Sequence, residues 1–154
     1  MSEVNLKGLG VALITPFTRD GLVDFEALSR LVNFQIENGT SYIVALGTTA
    51  ETPTLTGKEK ADVVECILKE VKNRIPVVIG IGGNNTASVV EELKSTNFTG
   101  ISAVLSVTPY YNKPTAEGLY QHYRSLSEAS PVALILYNVP GRTGVNMSAE
   151  TTLR

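Results

Sequence analysis

The sequence predicts an α/β protein in which short buried strands alternate with longer amphipathic helices. Five short apolar runs are nearly continuous rather than alternating, which is typical of strands covered on both faces, as in a parallel sheet. The segments between them repeat apolar residues at the spacing of a helix face. The strand starts, at positions 10, 42, 77, 101 and 132, are spaced close to the ~30 residues of one βα unit. The predicted strands span residues 10–14, 42–46, 77–81, 101–107 and 132–137.

Most of the predicted helices are preceded by a residue suited to start them. The segment Thr56-Gly57-Lys58-Glu59 matches a capping box, in which the threonine and the glutamate each bond a backbone N–H at the helix start. Asp24, Thr115 and Ser148 are predicted N-caps of the first, fourth and fifth helices. The alternation therefore predicts five βα units, the last of them incomplete.

Open three-layer sheets and closed (β/α)8 barrels both begin with such units. The barrel is favoured because no glycine-rich dinucleotide fingerprint follows the first strand, and because unusual polar residues follow several different strands. A complete barrel needs about 250 residues, whereas this chain has 154 and stops at Thr151-Thr152-Leu153-Arg154 inside a predicted helix. We therefore expect residues 1–154 to be the N-terminal part of a single (β/α)8 barrel domain, truncated before the sixth strand.

Composition argues against several classes of protein. The net charge is −2 and the 13 basic residues are scattered, whereas nucleic-acid binding needs clustered cations. No segment approaches the ~18 apolar residues of a membrane span, and the N-terminus lacks the pattern of a signal peptide. A single cysteine, Cys66, and a single histidine, His122, offer neither a disulfide framework nor a metal-ligand set. We expect a soluble cytoplasmic protein with no metal, no nucleic-acid partner and no membrane partner.

Three strand ends carry residues suited to chemistry. Gly47-Thr48-Thr49-Ala50-Glu51 follows the second strand, where small residues let backbone N–H groups approach an anion and two hydroxyls can donate and accept. Taken alone, this segment is more simply interpreted as a polar βα turn. Thr108-Pro109-Tyr110-Tyr111-Asn112-Lys113-Pro114 follows the fourth strand, and its tyrosines suit either a rigidly placed phenol or a subunit interface. At the end of the fifth strand stands Tyr137-Asn138-Val139-Pro140-Gly141-Arg142-Thr143-Gly144. Its arginine is suited to binding a carboxylate, and the alternative is a surface arginine in a turn.

Together these segments resemble the dihydrodipicolinate synthase / N-acetylneuraminate lyase family. The resemblance runs from Leu13-Ile14-Thr15-Pro16-Phe17 to the final helix, and the order and spacing of the motifs carry it. It includes the stretches Arg74-Ile75-Pro76-Val77, Gly82-Gly83-Asn84-Asn85-Thr86 and Glu117-Gly118-Leu119-Tyr120-Gln121-His122. The resemblance implies condensation of pyruvate, held as an imine on a lysine, with a second carbonyl compound. The imine lowers the barrier by acting as an electron sink.

The resemblance also implies a role for each candidate residue. Tyr137 would give and take protons, and Thr48 and Tyr111 would be its partners in a hydroxyl relay, Tyr111 reaching across from a neighbouring subunit. A free phenol has a pKa near ~10, so proton transfer at neutral pH needs such help. Thr49 would hold the pyruvate carboxylate, and Arg142 the carboxylate of the second substrate. No cofactor is implied, and a homo-oligomer, either dimer or tetramer, is expected.

Two details favour the synthase branch over the sialic-acid lyases. This chain has Thr48-Thr49 where those lyases usually have Ser-Thr, and its Arg142 suits a small acidic aldehyde such as aspartate semialdehyde. Alternatives are N-acetylneuraminate lyase or a 2-keto-3-deoxy sugar-acid aldolase. Ala50 departs from the usual family glycine, and we expect tolerance if its backbone is ordinary.

A regulatory site for lysine is the other feature that the resemblance implies. Asn84 and Tyr110 match two residues of that site, but Ser88 stands where lysine-sensitive enzymes usually have glutamate, and Lys60 where they often have histidine. Losing a carboxylate and adding a cation both weaken binding of an ammonium group, so we expect weak or absent feedback inhibition.

The family's Schiff-base lysine belongs on the sixth strand and is absent from this chain. We therefore expect the 154-residue chain to be catalytically inactive by itself. A non-catalytic partial-barrel module is the structural alternative. A flavodoxin-like binding module is disfavoured because Thr15-Pro16-Phe17 stands where its phosphate loop would be.

Overall fold

A computed structural model describes residues 4–154 of the chain. Strands and helices alternate as predicted, and the chain divides into two compact units. The first unit runs to Gly80 and includes Gly100–Ser102, and the second contains Ile81–Thr99 and Ala103–Arg154. The strands are β1 (Gly10–Ala12), β2 (Tyr42–Ala45), β3 (Val77–Gly80), β4 (Ala103–Val107) and β5 (Ala133–Tyr137). The helices are α1 (Phe25–Glu37), α2 (Gly57–Val71), α3 (Thr86–Ser95), α4 (Ala116–Ala129), α5 (Pro140–Thr143) and α6 (Ala149–Leu153).

The first unit is built on three parallel strands in the order β1-β2-β3. Ile43, at the centre of β2, is aligned with Val11 on one side and Val77 on the other. Helices α1 and α2 pack against each other, and the fully buried side chains include Leu28 and Ile67. The near-continuous apolar runs of β2 and β3 thus form buried strands, as the sequence pattern indicates, whereas β1 is half-buried to exposed.

The second unit is built on β4 and β5, which pair in parallel over five residues from Ala103↔Ala133 to Val107↔Tyr137. Leu134 and Leu136 line a cleft together with side chains of α4 and α6. Because successive residues of a strand point to opposite faces, Tyr137 is directed to the face of β5 away from those helices. The register therefore places the phenol on the sheet face opposite α4 and α6.

The predicted helix starts are confirmed, and the helix predicted as the fifth is α6, because the short helix α5 precedes it. The side chains of Asp24, Thr115 and Ser148 each accept a bond from a backbone N–H three residues on, and Thr56 and Glu59 form the complete capping box. The strands are confirmed with shorter ends; β2 stops before Leu46, whose φ of 53° is left-handed. Within residues 4–154, none of the helices is both long and apolar enough to cross a membrane.

Candidate functional site

The Thr48-Thr49 segment forms a tight turn directly after the carboxyl end of β2. Thr48–Ala50 is one turn of 3-10 helix, in which the Ala50 N–H donates to Gly47 O at 3.1 Å and the Glu51 N–H to Thr48 O at 3.2 Å. Both threonines are exposed, whereas Ala50 is buried. The turn therefore holds its backbone in place and leaves two adjacent hydroxyl side chains accessible.

A close backbone contact fixes the entry to this turn. A Cβ at Gly80 of β3 would lie only 2.0 Å from the carbonyl oxygen of Leu46, so the two backbones approach in a way that glycine alone permits. Glu51 leaves the turn with a left-handed φ of 55°, but Ala50 itself is not in that region. The condition for the expected tolerance of alanine at position 50, an ordinary backbone, is therefore met.

The paired tyrosines lie in a strained loop after β4. The Thr108 N–H donates to Tyr137 O at 3.0 Å, which joins the start of this loop to the end of β5. Tyr111 is 88% exposed and has a φ of 72°, and Lys113 has a φ of 45°. Few non-glycine residues adopt a left-handed φ, and those that do cluster at functional sites. The loop presents the Tyr111 phenol to the surroundings rather than burying it in its own chain.

Tyr137 and Arg142 occupy one compact turn at the end of β5. Tyr137 is half-buried, while Arg142 is exposed on the short helix α5, which begins with Pro140 and is capped at its C-terminus by Gly144 with a φ of 68°. Asn138 stabilises the segment that follows, because its Oδ1 accepts from the Met147 N–H at 3.1 Å. The backbone that carries the guanidinium is therefore ordered by local bonds.

The two loops of the second unit lie side by side. The loop of residues 108–114 carries the paired tyrosines and is called the tyrosine loop below. The Cε of its Lys113 lies 3.1 Å from where a Cβ at Gly144 would be. The second unit thus brings Tyr111, Tyr137 and Arg142 to the carboxyl ends of β4 and β5. The first unit places Thr48 and Thr49 at the carboxyl end of β2, and this is the end of parallel strands at which barrel enzymes carry their chemistry. Hydroxyls can bind a carboxylate and relay protons, and a guanidinium can bind a carboxylate.

The residues predicted to bind lysine are placed on several elements. Asn84 is half-buried before α3, and its carbonyl accepts from Asn112 Nδ2 at 3.0 Å, which ties it to the tyrosine loop. Ser88 is exposed in the first turn of α3, and Tyr110 is 39% exposed. Lys60 lies in α2 of the first unit and is half-buried.

Two buried contacts were not anticipated from the sequence. Thr15 is buried, and its hydroxyl donates to Ala50 O at 2.8 Å, although the two residues are 35 positions apart. His122 is buried with its Nδ1 2.8 Å from Thr86 Oγ1, and burial lowers its pKa. No spacing pattern signals either pair, because both contacts join different βα units.

Comparison with known proteins identifies relatives across the whole chain. The sequence profile of the dihydrodipicolinate synthetase family matches residues 5–154. The 4-hydroxy-tetrahydrodipicolinate synthase of Parabacteroides distasonis is 62% identical over 154 residues, which are 100% of this chain and 52% of the relative.

Solved structures of dihydrodipicolinate synthases also match nearly the whole chain. The match to the dihydrodipicolinate synthase of Acinetobacter baumannii, complexed with pyruvate, has a TM-score of 0.94 and 49% sequence identity. The match covers 97% of this chain and 52% of that enzyme's chain. The match to the dihydrodipicolinate synthase of Bacillus anthracis has a TM-score of 0.94 and 42% sequence identity, and it covers 99% of this chain and 52% of that enzyme's chain. The chain thus spans about half the length of the relatives it matches. The predicted fold class is confirmed: about the first five βα units of a (β/α)8 barrel are present.

Proposed function

We propose, from the premise that the chain belongs to the dihydrodipicolinate synthetase family, that the intact protein condenses pyruvate with aspartate semialdehyde. The product would be 4-hydroxy-tetrahydrodipicolinate, an intermediate on the route to diaminopimelate and lysine. The observation that carries this proposal is the order of the strand-end residues: threonine hydroxyls follow β2, exposed tyrosines follow β4, and Tyr137 with Arg142 follows β5.

The reaction begins when a lysine amine attacks the ketone carbon of pyruvate and water leaves, forming an imine. Loss of a methyl proton then gives an enamine, whose carbon attacks the aldehyde carbon of the second substrate while the aldehyde oxygen gains a proton. The amino group of the second substrate then displaces the lysine amine from the imine carbon, which closes the ring and releases the product. Each proton needs a positioned donor or acceptor. The chain supplies candidates for those positions in the hydroxyls at the strand ends.

Tyr137 is the proposed acid and base of these proton transfers. It lies at the carboxyl end of β5 on the face opposite α4 and α6, where a barrel interior would be. Thr48 and Tyr111 are the proposed partners that pass protons to and from its hydroxyl. A chain of hydroxyls suits this role because each can donate one bond while accepting another.

Thr49 and Arg142 are the proposed carboxylate ligands. The exposed Thr49 hydroxyl sits in a turn whose small residues give an anion access to backbone N–H groups. Arg142 offers a planar fork of donors that matches a carboxylate, and it is exposed on an ordered turn. The pyruvate carboxylate is assigned to Thr49 and that of aspartate semialdehyde to Arg142.

A homo-oligomer is part of the proposal, at least a dimer and in the family's usual form a tetramer. Tyr111 is 88% exposed in a strained loop, which suits a side chain that completes the site of a neighbouring subunit. The cytoplasm is the proposed location, since the substrates are metabolites of amino-acid biosynthesis.

Feedback inhibition by lysine is proposed to be weak. Ser88 is uncharged where lysine-sensitive relatives usually have a carboxylate, and Lys60 is a cation where they often have histidine. Both differences weaken the binding of an ammonium group. Half-inhibition of the intact enzyme by sub-millimolar lysine would contradict this assignment.

The 154-residue chain is proposed to be inactive by itself because it lacks the imine-forming lysine. Every lysine among residues 4–154 lies in a helix or a loop, and none lies on a strand. The proposed nucleophile therefore belongs to a part of the protein beyond the five βα units described.

Trapping of the imine tests the proposal. The intact gene product is incubated with pyruvate and borohydride and then weighed by mass spectrometry, with the 154-residue chain treated in parallel. We expect one reduced pyruvyl group on the intact protein and none on the isolated chain. No adduct on the intact protein would defeat the imine mechanism. Turnover with a sugar aldehyde but not with aspartate semialdehyde would move the assignment to another aldolase of the family.

A further inference from the structure

We infer that Thr15 is a positioning residue for the Thr48–Ala50 turn, and thereby for binding of the pyruvate carboxylate. Its role in catalysis rests on the proposed function, but its effect on the turn does not. Thr15 is 4% exposed, and its hydroxyl donates to the carbonyl of Ala50 at 2.8 Å. This bond joins the loop after β1 to the turn that carries Thr48 and Thr49.

The segment that follows Thr15 is itself held in place. Because Pro16 follows Thr15, the backbone of Thr15 is restricted to extended conformations. The carbonyl of Pro16 accepts from the Asp24 N–H at 2.8 Å, and Asp24 in turn caps α1 by accepting from the Ala27 N–H at 2.8 Å. The hydroxyl thus projects from a segment that is anchored to the start of a helix.

Ala50 depends on this contact because its carbonyl accepts a buried bond. Ala50 is 2% exposed, and a buried carbonyl that loses its donor is left without water to replace it. The backbone on either side is in the left-handed region, at Leu46 with a φ of 53° and at Glu51 with a φ of 55°. This conformation is unfavourable for both side chains, so the backbone can relax at either end of the turn once the bond is lost.

Relaxation of the turn would move the two side chains that act on pyruvate. Misplacement by about 1 Å can cost a factor of 10² in rate even when the altered residue is far from the chemistry. Arg142 lies in the other compact unit, on a turn stabilised by its own bonds. Loss of the Thr15 hydroxyl is therefore expected to weaken pyruvate binding and to leave the second substrate's KM nearly unchanged.

Thr40 provides a matched control for the test. It is also 4% exposed and its hydroxyl donates to Gln35 Oε1 at 2.9 Å, but it precedes β2, at the end opposite the turn. Thr15→Val and Thr40→Val remove the same group from equally buried sites. A purely structural role for Thr15 would give the two variants similar behaviour.

The experiment measures steady-state kinetics on the intact protein together with hydrogen exchange of a peptide that contains residues 48–51. In Thr15→Val we expect the KM for pyruvate to rise about tenfold and exchange in that peptide to quicken about tenfold. Thr15→Ser retains the hydroxyl and should stay within about twofold of wild type in both, as should Thr40→Val. If Thr15→Val does not fold, Thr15→Ala and Thr40→Ala replace the pair.

Unchanged exchange and unchanged pyruvate KM in the folded Thr15 variant would overturn the inference, as would an equal rise in the Thr40 variant. If the wild-type protein forms no adduct with pyruvate and borohydride, the proposed function fails instead. Exchange at residues 48–51 then still decides whether Thr15 positions the turn.

Discussion

Gly80→Ala tests the backbone contact that sets the entry to the Thr48–Ala50 turn. An added Cβ would lie 2.0 Å from Leu46 O, 2.7 Å from Leu46 C and 3.1 Å from Gly47 N. Real Cβ contacts do not fall below 3.0 Å, so β3 and the Leu46 carbonyl must separate by at least 3.0 − 2.0, or about 1 Å. All three contacted atoms belong to the backbone, so a change of side-chain rotamer cannot relieve the clash.

The cost follows from that displacement. Overpacking of an interior typically costs 1–3 kcal/mol, and we expect about 3 kcal/mol here because backbone must move. Leu46 already holds a left-handed φ of 53°, a conformation that is itself unfavourable for leucine. The free energy of unfolding should therefore fall by about 3 kcal/mol, and pyruvate binding should weaken because the Thr48–Ala50 turn follows directly.

Urea unfolding of the intact protein, followed by far-UV circular dichroism, measures the change. Gly47→Ala is the matched control, because its Cβ would meet only Val44 Cγ1 at 3.8 Å and its φ is −77°. We expect that control to stay within about 0.5 kcal/mol of wild type. A Gly80→Ala protein as stable as the control would refute the close approach of the two backbones.

The remaining predictions concern a helix cap, a buried histidine and the proposed acid and base. Thr56→Ala removes the capping box of α2 and should lower the free energy of unfolding by about 1 kcal/mol, whereas Thr56→Ser should change it little; equal losses would contradict the capping role. Burial lowers the pKa of His122, so near its unfolded pKa of ~6.5 the unfolded chain binds a proton more readily than the folded chain does. The free energy of unfolding should therefore fall as the pH drops below ~6.5, by at most ~1.4 kcal/mol per pH unit. In urea unfolding at pH 7 and pH 5, His122→Asn should show a smaller loss than wild type, and an equal loss would rule this histidine out as the cause. Tyr137→Phe should reduce kcat about 10²- to 10⁴-fold in a synthase assay, while Tyr120→Phe on α4 should keep near wild-type activity; comparable rates in both variants would remove Tyr137 from the proton transfers.

Local signals in the sequence were sufficient to predict the elements. Near-continuous apolar runs predict buried strands, and single polar residues before apolar repeats predict helix starts, since both patterns act within a few residues. The carboxyl end of β2 was less predictable because Leu46 adopts a left-handed φ, for which a pattern would favour glycine or asparagine. Tertiary contact with Gly80 overrides the local preference there.

The candidate site was predictable in kind but not in detail. Polar residues after β2, β4 and β5 stand out because parallel strands carry chemistry at their carboxyl ends. The contacts that order those residues escaped prediction because they join distant positions, as Thr15 does with Ala50 and Asn112 with Asn84. A hydroxyl 35 residues from its acceptor leaves no periodic trace in a sequence, so only coordinates reveal it.

A crystal structure of the intact protein after reaction with pyruvate and borohydride shows whether Thr49 and Tyr137 act at one keto-acid site. We expect a pyruvyl group attached to a lysine, with its carboxylate about 3 Å from the Thr49 hydroxyl and the Tyr137 hydroxyl beside its former ketone carbon. A trapped pyruvyl group contacted by neither Thr49 nor Tyr137 would rule out the proposed roles of both residues.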